Sequence, residues 1–276
     1  MRNYRSCCML FILLLCDVYA PASRADLGDA DCIIEPHVVV ELSTSVEGVI
    51  EEITVNRGDV VEKDQVLVTL ESGVEKATVE LARLRAKEDV EILLGKARVE
   101  FGERAKARSD ELYSRKSLSQ HSKDEADYEA SLAKLELREA RQSRKRAELE
   151  LKRAIAVLDR RSIRSPIDGV VIERVASPGE AVTEDEHMLR LAQVDPLNVE
   201  LIVPAAKFGE LRKGMHLHVH TDMPGTEVYR AEVVIVDPVI DASSETFGAR
   251  ALLPNPDRRI PAGVACTAEI VPDGDT

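Results

Sequence analysis

His216, His218 and His220 alternate through one short apolar stretch, with Asp222 and Met223 directly behind them. Alternate residues of an extended strand share a face, and imidazoles gathered on one face are common ligands of Zn²⁺ or Cu²⁺. The spacing argues against a single site, because side chains two apart on a strand stand ~7 Å from one another. Three such rings cannot all reach one ion unaided. The favoured reading is the polar outer face of a strand whose Leu217 and Val219 point inward, with metal binding as the alternative. No Ser/His/Asp or Cys/His arrangement, phosphate loop or paired-carboxylate spacing stands out elsewhere. The expectation is therefore a protein that is not an enzyme and has no cofactor or metal.

Residues 1–25 read as a signal peptide. Arg2 and Arg5 precede a short apolar core at 9–15, and Ser23-Arg24-Ala25 offers a cleavage site. Pro21 disfavours the earlier small-residue site at Ala20. The apolar run falls well short of the ~20 residues that span a bilayer, so an exported, cleaved chain is favoured over an anchored one. Lipidation at Cys16 is disfavoured by the bulky Leu15 before it. Cleavage would remove Cys7, Cys8 and Cys16 and leave Cys32 and Cys266. In an oxidising compartment these two are either a disulfide or a pair of unrelated buried thiols.

Aromatics make up only 3% of the 276 residues and there is no Trp, which is low for one large core. Thin modules with small aliphatic cores explain that composition. The net charge of −13 argues against a nucleic-acid partner, whose phosphates need a basic surface.

The elements that would position any site are organised around an internal repeat. Residues 48–61 and 169–182 each place two glycines ten apart around a β-branched run, with Asp59 or Glu180 after the second glycine. Asn56-Arg57-Gly58-Asp59 and Ser177-Pro178-Gly179-Glu180 are tight-turn sequences with Gly where φ is positive. Apolar strands follow at 65–70 and 187–191. Neither half can bury its apolar face alone, so two halves packed face to face predict a small β-sandwich.

Between the halves, residues 74–160 contain no Pro. Ala130, Ala133, Leu137, Ala140, Arg144, Ala147, Leu151, Ala154 and Leu158 step by three and four, the spacing of a coiled-coil seam broken only at Arg144. The first arm predicts a seam through Ala77, Leu81, Leu84, then Val90, Leu94, Ala97 and Phe101, with a one-residue slip between the sets. Glu100/Arg104, Glu111/Arg115 and Glu148/Lys152 are favourable i,i+4 pairs. Two arms of roughly 40 residues predict a hairpin about 60 Å long. It turns between Ser117 and Ser122, with Ser122-Lys123-Asp124-Glu125 as a capping box for the second helix.

These features together resemble the periplasmic adaptor subunits of efflux pumps, also called membrane fusion proteins or the HlyD-type family. Residues 164–171 (Arg-Ser-Pro-Ile-Asp-Gly-Val-Val) and 55–61 are similar to the two signatures of that family's split lipoyl-like domain. Asp237-Pro238-Val239-Ile240-Asp241, the Leu253-Pro254-Asn255-Pro256-Asp257 phrase and Ile260-Pro261-Ala262-Gly263 are similar to its β-barrel. The resemblance implies an elongated, multi-domain α+β chain: a split lipoyl-like β-sandwich at 37–73 plus 161–193, a coiled-coil hairpin at 74–160 and a β-barrel at 194–271. With only Pro272 to Thr276 beyond the barrel, the membrane-proximal domain of many relatives is expected to be missing or minimal.

The resemblance also supplies roles. Arg108, Leu112 and Ser119, with Asp124, are similar to the tip motif that docks onto TolC-type outer-membrane channels; a plain helical turn is the alternative. Lys76 lies in a segment loosely similar to lipoyl or biotin attachment sites, but it opens a long helix and is expected to be unmodified. The implied function is a periplasmic adaptor joining an inner-membrane transporter to such a channel, as a ring of six copies. An RND transporter is favoured over an ABC exporter, and a lipoyl or biotin carrier and a periplasmic metal-binding protein are the remaining alternatives. Inserting a hairpin between two half-domains returns both chain ends to one place, so a Cys32–Cys266 bridge is expected, with Cys32 just ahead of the first strands.

Overall fold

The structure, a computed structural model, describes residues 30–223 and 227–270. The signal peptide at 1–25 and Cys16 lie outside them. The chain is α+β. Its strands are β1 (Ala30–Ser43), β2 (Gly48–Ile53), β3 (Val60–Val61) and β4 (Val66–Leu70). The helices α1 (Gly73–Lys87), α2 (Val90–Ser114) and α3 (Gln120–Asp159) follow. Then come β5 (Ser162–Arg164), β6 (Gly169–Arg174), β7 (Ala181–Val182), β8 (His187–Pro204), β9 (His216–Thr221), β10 (Val228–Val236), β11 (Thr246–Leu253) and β12 (Val264–Ile270). The strands form a sheet in the order β1-β12-β9-β10-β11-β8-β6-β3, with β1 also pairing β8, and a second sheet in the order β5-β4-β2-β7.

Two compact units result, one of them Ile34–Val199 with Leu252–Val264. Its β core draws Leu42, Ile50, Val61, Leu67 and Leu70 from the first half-repeat and Val171, Val182, Met188, Leu189 and Leu191 from the second. The halves are laced reciprocally. The two-residue strand of each pairs with the leading strand of the other, Val60 with Val170 and Val182 with Gly48. The turns repeat the exchange: Gly58 N–H donates to the Val171 carbonyl at 2.8 Å, and Gly179 N–H to the Ile50 carbonyl at 2.8 Å. Both glycines hold left-handed φ, 94° and 85°, where a Cβ would be strained. Asp59 and Glu180 close these turns by accepting from the Asn56 and Ser177 N–H groups. The sequence repeat is thus a repeat of hydrogen bonds.

The same unit carries the helices. Against α3, the buried positions are Val79, Ala82 and Ala86 on α1 and Gly95, Gly102 and Ser109 on α2. The expected first-arm seam is corrected here: Leu81, Leu84, Val90, Leu94 and Phe101 are 50–61% exposed. Small residues win the inner face because they let the helix axes approach. A Cβ at Gly95 would stand 3.1 Å from the Leu137 Cα, and one at Gly102 would stand 3.2 Å from the Ala130 Cα. The expected slip is real. Helix α1 ends at Lys87, Glu88 is extended with ψ 124°, and α2 restarts after Asp89. On α3 the seam lies where it was expected, with Ala130, Ala133, Leu137 and Ala154 buried and Arg144 exposed.

The other unit comprises, among the described residues, 30–33, 200–223, 227–251 and 265–270. Its core includes Leu201, Val203, Leu217, Val219, Ala231, Val233, Phe247 and Ala268. Phe208 meets Phe247 edge to face at 5.3 Å. Strand β8 runs unbroken from His187 to Pro204.

Candidate docking site at the hairpin tip

Helix α2 ends through a left-handed residue, Lys116, at φ 57°. Its N–H donates to the Tyr113 carbonyl at 2.9 Å, and the Ser117 N–H reaches back to the Leu112 carbonyl at 2.9 Å. This pair satisfies the last carbonyls of a helix. Helix α3 then starts one residue after Ser119, whose Oγ accepts from the Ser122 N–H at 3.1 Å. The N-cap is therefore Ser119, and the capping box expected at Ser122 is corrected. Ser122 instead has its Oγ 2.9 Å from that of Ser119.

Arg108 and Ser119 are exposed, and Leu112 is 44% exposed. At that exposure Leu112 does not fill the seam between the helices. Asp124 is exposed and accepts from Gln120 Nε2 at 2.7 Å. The tip thus presents a cation, an aliphatic side chain and a hydroxyl on a turn whose backbone is internally satisfied.

Beneath it lies a charge network that the sequence reading missed. Lys123 Nζ lies 3.3 Å from the Asp110 carboxylate and 3.1 Å from that of Asp127, and 5.9 Å from the centre of the Tyr113 ring. Lys106 completes the square with Asp110 at 3.5 Å and with Asp127. Hydrogen bonds from Lys106 and Lys123 hold the Asp127 carboxyl below its ordinary range. The bond to Asp127 pushes each ammonium up in turn. The i,i+4 pairs Lys106/Asp110 and Lys123/Asp127 were readable, but their meeting depends on the register of two helices. Of the expected surface pairs, Glu100–Arg104 and Glu111–Arg115 close at 2.9 and 2.6 Å. Glu148 pairs with Arg144 and Lys145 rather than Lys152.

The hairpin root is pinned by two arginines. Arg161 Nε and Nη2 reach the Glu75 carboxylate at 2.9 and 2.7 Å, and its Nη1 donates to the Glu47 carbonyl at 2.8 Å. The backbone N–H of Glu75 first, then Arg161, hold that carboxyl below its usual range against partial desolvation. Arg160 donates to the Ser45 carbonyl. Both ends of the hairpin are so tied to the β1–β2 turn. Lys76 lies in the first turn of α1, 4.0 Å from Glu51, on a helix rather than a hairpin tip.

His216 and His218 are half-buried and His220 is exposed, while Leu217 and Val219 are fully buried. Across the ladders, His216 pairs with Glu232, and His218 with Arg230 on one side and Glu269 on the other. Among the described residues no group of three His, Cys, Asp or Glu side chains is placed to hold a metal. Cys32 lies within β1 rather than ahead of the first strands, and it is joined to Cys266 of β12 by a disulfide with Cα atoms 4.9 Å apart. No helix among the described residues is long and apolar enough to cross a membrane.

A split β core with a helical hairpin between its halves, joined in sequence to a small barrel, is the arrangement of the membrane fusion proteins. Residues 38–193 match the CzcB-like barrel-sandwich hybrid domain and residues 197–274 the CusB-like β-barrel domain, and the chain belongs to this CzcB-like family. It is 24% identical over 236 residues to the cobalt-zinc-cadmium resistance protein CzcB of Cupriavidus metallidurans, and 25% identical over 240 residues to the cation efflux system protein CzcB of an Alcaligenes species. Each alignment takes in 85% of this chain and 42% of the relative, so the chain spans less than half the length of these curated relatives. The crystal structure of MacA from Actinobacillus actinomycetemcomitans matches with a TM-score of 0.71 at 22% identity, over 88% of this chain and 78% of that one. The membrane fusion protein Spr0693 of Streptococcus pneumoniae matches with a TM-score of 0.60 at 15% identity, over 90% of this chain and 100% of that one. At these identities the two structures speak for the fold alone.

Proposed function

We propose that this protein is a periplasmic adaptor that couples an inner-membrane transporter to a TolC-type outer-membrane channel and performs no catalysis itself. The observation that carries the reading is the hairpin, whose end exposes Arg108, Leu112 and Ser119 on a turn that needs no further partner for its backbone. The transporter is read first as an RND pump, with an ABC exporter as the alternative. Export to the periplasm rests on the signal sequence at 1–25. The names of the two curated relatives make divalent cations the first cargo to test.

Self-assembly, with six copies as the working number, is supported by the outward stripe of Leu81, Leu84, Val90, Leu94 and Phe101. A regular apolar stripe on exposed helices marks a contact surface. The test is export in cells carrying Arg108→Ala, Leu112→Ala or Ser119→Asp, with the adaptor quantified in each. Loss of metal export and of channel co-purification at unchanged adaptor level is expected. Wild-type export by all three variants would remove the docking role.

A further inference from the structure

The hairpin is packed in two separate halves. At the root, Val79, Ala82 and Ala154 are buried together with Leu151 and Leu158 against them, and Arg161 fixes both helix ends to the β core. Toward the tip, Gly95, Gly102 and Ser109 oppose Ala130, Ala133 and Leu137. Arg98–Glu136 at 2.8 Å, Lys134–Glu103 at 3.1 Å and the tip network cross-link the arms there.

Between the halves the seam is shallower. From Ala86 to Gly95 on one arm and from Leu137 to Leu151 on the other, no intervening side chain is buried; Ile92, Ala140 and Ala147 are half-buried. An opening of about 250 Å³ lies there, bordered by Arg85, Glu88, Glu91, Ser143, Arg144 and Glu150. Among the described residues no ion pair crosses it, for Arg144 turns to Glu148 on its own helix at 3.5 Å. The first arm is broken at this level, with Glu88 extended and Asp89 making no side-chain cap. The seam also loses one residue, passing from Ala86 to Ile92 where steps of three and four would reach position 93. Helix α3 therefore crosses this level with Ala140 and Ala147 only half-buried, and packing supports its backbone less there than at either end.

We infer that the hairpin has a joint at its middle, formed by Glu88–Asp89 on one arm and residues 140–148 of α3 on the other, at which the tip half tilts relative to the root half. The geometry stands by itself; only the purpose, keeping the tip seated while the root follows the transporter, rests on the adaptor reading. Residue-resolved hydrogen exchange on the purified chain tests it without transporter or channel. Amides at 140–148 should exchange about tenfold or more faster than those at 130–137 and 151–158. Inserting one Ala between Lys87 and Glu88 restores the three–four seam, and Arg144→Leu fills the gap. Each change should restore protection at 140–148 by about tenfold. Spin labels on Ala77→Cys and Ala97→Cys, which bracket the joint, should give a distance distribution about twice as wide as labels on Leu93→Cys and Tyr113→Cys within α2. Even protection along α3, a dip unmoved by both changes, or equal label widths would each overturn the joint. Export unchanged in cells lacking the protein, with the joint present in the purified chain, would instead count against the adaptor reading alone.

Discussion

Ser119 serves the fold and, on the reading above, the partner, and substitutions can pull the two apart. Asp is as good an N-cap as Ser, whereas Ala loses about 1 kcal/mol of helix stability. Ser119→Asp should therefore keep the thermal midpoint and Ser119→Ala lower it, while both impair channel binding if the hydroxyl itself docks. Channel binding retained by Ser119→Asp would reduce the serine to a cap. The network below behaves differently with pH. A depressed carboxyl such as that of Asp127 adds stability above its unfolded value, lost as pH falls through the folded one. The raised Lys106 and Lys123 add stability below their unfolded values, lost as pH rises through the folded ones. The tip should therefore be indifferent to pH between the ordinary carboxylate and ammonium ranges and loosen only in strong acid or strong base. Amide linewidths at residues 117–122 report this, and loosening near neutrality would contradict it. The mistaken cap at Ser122 has a local cause, because Ser119-x-x-Ser122 and Ser122-x-x-Glu125 are both plausible starts. Only the chain path into the turn decides between them.

At the level of elements, the second arm was legible and the α2 part of the first was misread for one reason. Hydrophobic periodicity finds seams built of Leu and Ala, as on α3, but α2 meets α3 with Gly95, Gly102 and Ser109, which carry no apolar signal. The strong stripe on the first arm therefore marked the outside. This yields a paired prediction. Gly102→Leu should destabilise the protein by about 1–3 kcal/mol through overpacking. Leu94→Ser with Phe101→Ser should leave the monomer's melting unchanged and weaken self-association in sedimentation. If the double variant assembles like wild type, the stripe is not the contact surface.

Across the whole chain, the repeat and the family phrases made the α+β class readable, because reciprocal turns need the same residues twice. The Cys32–Cys266 link closes a loop of sequence separation 234, for which chain entropy alone suggests about 5 kcal/mol, with measured gains often smaller. Cys32→Ser with Cys266→Ser should thus lower the denaturation midpoint by more than either tip variant, and equal midpoints would show the bridge to be idle. The lacing of β2 with β7 and β3 with β6 has another consequence. The first half-core lacks β6 and β7 until the entire hairpin that precedes them has been made. Until the two arms zip together, the first half offers bare strand edges, which invite pairing with any other chain. A half from a neighbouring chain fits those edges as well as its own does, so folding at high concentration should trap exchanged pairs of chains whose every contact is native.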